Sequence, residues 1–119
     1  MSIINFSNVE AHLTDENCQF VDVREPYELQ MDGFIEGFQC IPFYTALIHQ
    51  NIVTYVRNPD TENAVSNAEA LMKLFDKSKA LYLMCNSGAR SGYLTYVLQQ
   101  QGYTVTNLGG IHDYQALKK

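Results

Sequence analysis

The sequence predicts an α/β domain built on a mainly parallel sheet, and three observations carry that prediction. β-branched and aromatic runs alternate with helix-type apolar patterns along most of the chain. The run ALYLM, residues 80 to 84, is apolar without a break, as in a central strand covered on both faces. At 119 residues the chain can bury one core without staples, so one domain spanning residues 1–119 is expected.

Each element has its own signal. SIINF, 2 to 6, reads as a first strand, and Ser7 with Glu10 has the form of a capping box opening a short helix to about Leu13. QFVDV, 19 to 23, is the next strand; Pro26 suits the first turn of the following helix and Gly33 its end. QCIP, 39 to 42, is a strand closed by Pro42. Residues 43 to 57, FYTALIHQNIVTYVR, have a helical tendency, and NPDTENAV after them reads as an exposed loop. Ser66 and Glu69 form a second possible capping box, followed by Ala68, Leu71, Met72 and Phe75 on one helix face. Beyond the central strand, Leu94, Val97 and Leu98 stripe a helix running from Ser91 to Gln101, with Gly102 as its C-terminal cap. YTVTNLGG is a last strand and turn, and HDYQALKK a helical tail.

Composition narrows the function classes. Apolar residues make up 46% and charged residues 18%, as in a globular protein. No window approaches the roughly 18 consecutive apolar residues of a membrane span, and the start MSIINFSNVE lacks a secretion signal, so a cytoplasmic location is expected. The net charge of −5, without a Lys/Arg cluster, argues against nucleic-acid or anionic-membrane binding. Cys18, Cys40 and Cys85 show no CxxC spacing, and His12, His49 and His112 no ligand spacing, so neither a metal site nor a disulfide framework is expected. The odd cysteine count raises one sharper idea, that Cys18 or Cys40 resolves a Cys85 intermediate into a disulfide; packing is the plainer role for both.

Sites in open parallel sheets form outside the carboxyl ends of the strands. The segments leaving those ends are DVRE (22–25), CNSGARS (85–91) and LGG (108–110), and Cys85 is the strong nucleophile among them. Backbone N–H groups of the loop, loosened by Gly88, can curl round one point, and the following helix adds the positive end of its dipole. Arg90 is the one formal charge between Lys79 and Asp113. Such surroundings favour a thiolate, since cysteines at helix N-termini reach pKa values between about 3.5 and 7.5. Asp22 and Arg24 read as braces that fix the loop, and Gly109 with Gly110 as a turn approaching it closely. Tyr93 and Tyr96 read as packing or helix-surface aromatics.

VDVREPYEL, GFIEGFQCIP, YLMCNSGARSGYLTYVLQQQGY and NLGGI, in that order, resemble a rhodanese-like domain over most of the chain, with 43 to 70 the least matched part. The resemblance implies a three-layer sandwich with a mainly parallel five-stranded sheet and helices on both faces. It also implies a thiosulfate sulfurtransferase-like enzyme without a cofactor, in which Cys85 is the catalytic residue. Cys85 would take a sulfane sulfur from a small anionic donor such as thiosulfate, hold it as a persulfide, and pass it to a thiol or protein acceptor, or to cyanide. The loop Asn86, Ser87, Gly88, Ala89, Arg90 and Ser91 would bind the donor and the persulfide. Phosphatase relatives resemble tyrosine phosphatases, with five residues between cysteine and arginine; four lie between Cys85 and Arg90, which favours sulfur over phosphate.

Two residues depart from the family pattern. Many active relatives carry a basic residue directly after the cysteine, whereas Asn86 stands here, which argues against high thiosulfate activity. Phe34 replaces the histidine of the usual GHI and reads as a packing change. Residues 43–65 exceed a minimal domain and are expected to shape the rim of the site. The competing readings are a cysteine phosphatase or arsenate reductase on the same fold, and a non-catalytic protein-binding module.

Overall fold

A computed structural model describes residues 3–119. Four strands form one parallel sheet in the order β2-β1-β3-β4: β1 is Cys18–Asp22, β2 Gln39–Cys40, β3 Ala80–Cys85 and β4 Thr104–Gly110. The helices are α1 (Pro26–Asp32), α2 (Ala68–Leu74), α3 (Ala89–Gln100) and α4 (Ile111–Ala116), with a 3-10 turn at Val9–His12 and a π-helical turn at Phe43–Ile48.

Alternation along the strands sorts side chains into two cores. Val21, Leu81, Leu83, Cys85 and Val105 face the larger one, which Leu71 of α2, Leu94, Val97 and Leu98 of α3, and Phe43 and Leu47 of the π turn complete. Phe20 and Met84 face the smaller one, closed by Ile4, Phe6, Val9, Ile35 and Ile111. The sheet is thus covered on both sides, and β3 is central, as its unbroken apolar run predicts.

Among the described residues the sheet has four strands rather than five. Within the expected first strand, residues 3 to 5 are irregular and Phe6 enters a turn; Ser2 lies outside the described residues. The cause is local hydrogen bonding. Asn5 Oδ1 accepts the Ser7 N–H at 2.9 Å, and Asn8 Oδ1 accepts the Asn5 N–H at 2.8 Å, so side chains take the groups that a ladder needs. Ile4 and Phe6 are nevertheless buried. Ser7 caps nothing, and Glu10 turns to Tyr114 and Lys118 instead.

Four further expectations are corrected. The segment 43–57 is helical over Phe43–Ile48 alone; Asn51 adopts a left-handed φ of 58°, and the N–H groups of Ile52 and Val53 return to Leu47 O. Val53 then bridges Val65 antiparallel, so the end of the expected exposed loop, Ala64 and Val65, is buried. The N-cap of α2 is Asn67, whose side chain accepts the Ala70 N–H at 3.0 Å, whereas Ser66 bonds the Thr54 hydroxyl. Leu71 and Phe75 point inward as expected, but Met72 is exposed.

Candidate active site

Cys85 ends β3 opposite Gly110 of β4, and α3 begins four residues later at Ala89, two residues before the expected start. Between them Gly88 takes a φ of 97°, a left-handed conformation that side chains rarely adopt. That twist turns the loop back over the sulfur. Gly88 N–H donates to Cys85 Sγ at 3.0 Å, Ser91 N–H at 3.5 Å, and Ser91 Oγ lies 3.3 Å away.

Burial pushes the Cys85 thiol up, but the Ser91 hydroxyl and the amides of Ser91, Gly88 and Arg90 together outweigh it. The thiol therefore ionises below its ordinary range. The hydrogen bonds to Sγ among the described residues come from uncharged groups. Cys85 itself is fully buried, so a reaction partner must enter the loop to reach it.

The Arg90 guanidinium is hydrogen-bonded to a carboxylate rather than to the sulfur. Its two Nη atoms grip the Glu28 carboxylate of α1, each at 2.7 Å, and the Tyr44 ring lies 5.9 Å from the guanidinium carbon. The Arg90 hydrogen bond holds the Glu28 carboxyl below the usual carboxylate range, and Glu28 in turn raises the proton affinity of Arg90. Glu28 also accepts the Glu25 N–H at 2.8 Å, so one carboxylate both caps α1 and anchors the loop.

Asp22 and Arg24 pair with each other, but their side-chain hydrogen bonds reach the backbone at Glu28 and Gly33 rather than the 85–91 loop they were expected to fix. Arg24 Nη2 lies 2.7 Å from Asp22 Oδ2, and the guanidinium continues to Gly33 O and Glu28 O, wholly inside the protein. The other loop residues divide by role. Ser87 and Ala89 are exposed, and the Asn86 carbonyl packs against Gly110, where a Cβ would come within 2.2 Å of it. Gly109 takes a φ of 120°, so the glycine pair does serve a close approach.

The sequence does not reveal two contributors. Glu28 is visible only as a helix-start residue. Asn107 of β4 bonds Ser91 Oγ at 2.7 Å through Oδ1 and Gly88 O at 3.0 Å through Nδ2. Their signal would have been the unpaired charge of Arg90 and the amide inside NLGG.

The other cysteines do not join the site. Cys18 opens β1 beside Ala80, about 16 Å of strand from Cys85. Cys40 pairs with Asp22, which pairs with Met84, placing it two strand spacings, about 9.6 Å, from β3. Both distances exceed the roughly 7 Å that a disulfide spans, and burial pushes both thiols up, so the resolving-cysteine idea is set aside. Phe34 is 61% exposed, so it is not the packing residue expected. Tyr93 stacks on Tyr55 at 4.7 Å and bonds Thr54 O and Val56 N, holding the 43–65 segment against α3 beside the loop.

A rhodanese-like domain model matches residues 6–117. The chain belongs to the rhodanese-like domain family. Among solved structures it is similar to a single-domain sulfurtransferase of Saccharomyces cerevisiae, at 21% identity and a TM-score of 0.62, covering 97% of this chain and 89% of that one. It is also similar to a rhodanese of E. coli solved with anions, at 26% identity and a TM-score of 0.53, covering 81% and 89%. A Rhodopseudomonas palustris protein described as a possible tyrosine phosphatase matches at 19% identity and a TM-score of 0.64, covering 99% and 82%. No curated protein matches with significance. Among the described residues of this rhodanese-like domain, no helix is long and apolar enough to cross a membrane, and no group of His, Cys, Asp or Glu could hold a metal.

Proposed function

We propose that the protein is a sulfurtransferase that carries a sulfane sulfur on Cys85. The observation that carries this reading is the convergence of Gly88 N–H, Ser91 N–H and Ser91 Oγ on one sulfur, within a loop that leaves four residues before Arg90. In the first displacement the Cys85 thiolate attacks the outer sulfur of thiosulfate or another persulfide donor. A sulfur–sulfur bond forms at Cys85 as the donor's own bond breaks, and the donor leaves with the electron pair, as sulfite from thiosulfate. In the second, an acceptor thiolate attacks the outer sulfur and the Cys85 thiolate departs. Loop N–H groups stabilise the anion in both resting forms.

Arg90 sharpens the choice between sulfur and phosphate. A phosphatase needs its arginine fork for the phosphate oxygens, whereas both Nη atoms of Arg90 are engaged by Glu28. The same pairing, with Asn86 after the nucleophile, favours a donor other than thiosulfate, such as a protein persulfide. Mass spectrometry of Cys85 after incubation with thiosulfate, and separately with a persulfide-forming cysteine desulfurase, tests the reading. One added sulfur atom on Cys85 is expected from at least one donor; no added sulfur from either sinks it. Aryl phosphate hydrolysis that depends on Cys85 would move the assignment to the phosphatase reading, and no such turnover is expected.

A further inference from the structure

The hydroxyl of Ser91 has one proton and two acceptors. Asn107 Oδ1 lies 2.7 Å from Ser91 Oγ, and Cys85 Sγ lies 3.3 Å from it. The orientation of the Asn107 amide is set by its other partners: Nδ2 must face the Gly88 carbonyl at 3.0 Å, and Oδ1 must face the Gly109 N–H at 3.2 Å. Oδ1 therefore has no proton to offer, and the 2.7 Å contact requires that of Ser91. Ser91 is fully buried, so its proton has no open path to solvent in between.

We propose that Asn107 is a positioning residue for Cys85, its Oδ1 holding the Ser91 hydroxyl proton while Cys85 is a thiol and yielding it to Sγ when Cys85 is ionised. In the thiol form the chain runs Cys85 S–H to Ser91 Oγ, then Ser91 O–H to Asn107 Oδ1. On ionisation the Cys85 proton leaves to water and the Ser91 hydroxyl rotates to donate to Sγ. Asn107 Oδ1 then keeps only the Gly109 N–H. Asn107 thus competes with the sulfur for one donor, and the ease of ionisation at Cys85 is set partly from β4, a strand that supplies no atom to the sulfur itself. The charged groups about the loop are already committed: Arg90 with Glu28, Asp22 with Arg24, and Asp113 with the Gly110 N–H. The inference rests on Cys85 being the reactive group, not on the identity of the sulfur donor.

The test reads the pH midpoint of Cys85 alkylation by iodoacetamide, followed on the Cys85 peptide by mass. Asn107 is exposed, so replacing it does not open the core. Asn107→Leu keeps the shape and removes the acceptor, so the midpoint should fall, by up to about one unit, the worth of the one uncharged hydrogen bond that Asn107 no longer offers Ser91. A merely structural role for Asn107 predicts the opposite sign, because a loosened loop loses its hold on the thiolate. Asn107→Asp, a stronger acceptor, should raise the midpoint, and raise it less in a Ser91→Ala background. A midpoint that rises or stays fixed in Asn107→Leu, or an Asn107→Asp shift indifferent to Ser91, overturns the proposal. Sulfur loading by mass is measured beside it. Loading without these shifts rejects the role of Asn107 alone; the shifts without loading reject the sulfurtransferase reading alone.

Discussion

Arg90 and Glu28 meet fork to fork, Nη1 on Oε2 and Nη2 on Oε1, each at 2.7 Å, across 62 residues of sequence. Their side chains are only 17% and 13% exposed, which keeps solvent from screening the pair fully. The pair joins the Cys85 loop to α1 and commits both Nη atoms of Arg90, so that its guanidinium is not free for an anion.

Glu28→Gln should therefore have two opposite effects. Thiosulfate KM should fall, because the Arg90 fork is freed for the donor, while stability in urea should fall by about 1–3 kcal/mol. The stability term is pH-dependent. The Glu28 carboxyl is depressed in the folded state, so its contribution is complete above the ordinary carboxyl value of about 4.3 and is lost as pH falls through the folded value. The gap between wild type and variant should close on acidification.

Cys85 should react with iodoacetamide at lower pH than Cys18 or Cys40, since its thiol is lowered and theirs are raised. Peptide mapping of alkylation against pH reads all three at once. The linkage follows the same sign: the thiolate stabilises the fold above the ordinary cysteine value of about 8.5, and this is lost as pH falls through the folded value. Wild type should gain stability over Cys85→Ser as pH is raised, and a gap independent of pH would contradict the lowered thiol.

Gly110→Ala should damage both fold and chemistry. The added Cβ would sit 2.2 Å from the Asn86 carbonyl oxygen and 2.9 Å from Ser87 Cα, both backbone atoms without a way to yield except by moving the loop. A loss of about 1–3 kcal/mol or more in chemical denaturation is expected, with loss of sulfur loading on Cys85.

Asp22→Asn should cost about 3–5 kcal/mol in urea unfolding at neutral pH, because it leaves the Arg24 guanidinium charged and wholly buried without its counter-ion. A cost below about 1 kcal/mol would mean that Gly33 O and Glu28 O alone hold Arg24.

Asn86→Arg should raise sulfur transfer from thiosulfate, measured by sulfite release, because it places a free cation one residue from Cys85, where Arg90 is already paired. The effect should fade at high salt, as an exposed electrostatic attraction does.

Legibility followed the range of the interaction. The central strand and the strand–loop–helix joint at Cys85 depend on neighbours in sequence, and the apolar run 80–84 with Gly88 after it exposed them. The helix at Pro26 and the glycine at Gly102 were legible for the same reason, as local start and stop signals. SIINF misled because its alternation did report burial of Ile4 and Phe6, while Asn5 and Asn8 diverted the backbone from any ladder. Met72 misled because a helical stripe is wider than the face its neighbours cover. Glu28 and Asn107 stayed hidden because each matters through a partner distant along the chain: Arg90 for one, Ser91 and Gly88 for the other.

The register of β4 has a consequence for how this chain tolerates insertion and deletion. Leu83 pairs with Asn107 but Met84 pairs with Gly109, so Leu108 is a supernumerary residue. It shifts the phase of the strand within one step, presenting Asn107 to α3 and Leu108 to the opposite core before Gly110 reaches the loop. Excising Leu108 would restore an even ladder and yet misplace every group that follows it. One codon thus separates a sheet that supports the Cys85 loop from one that is merely well paired.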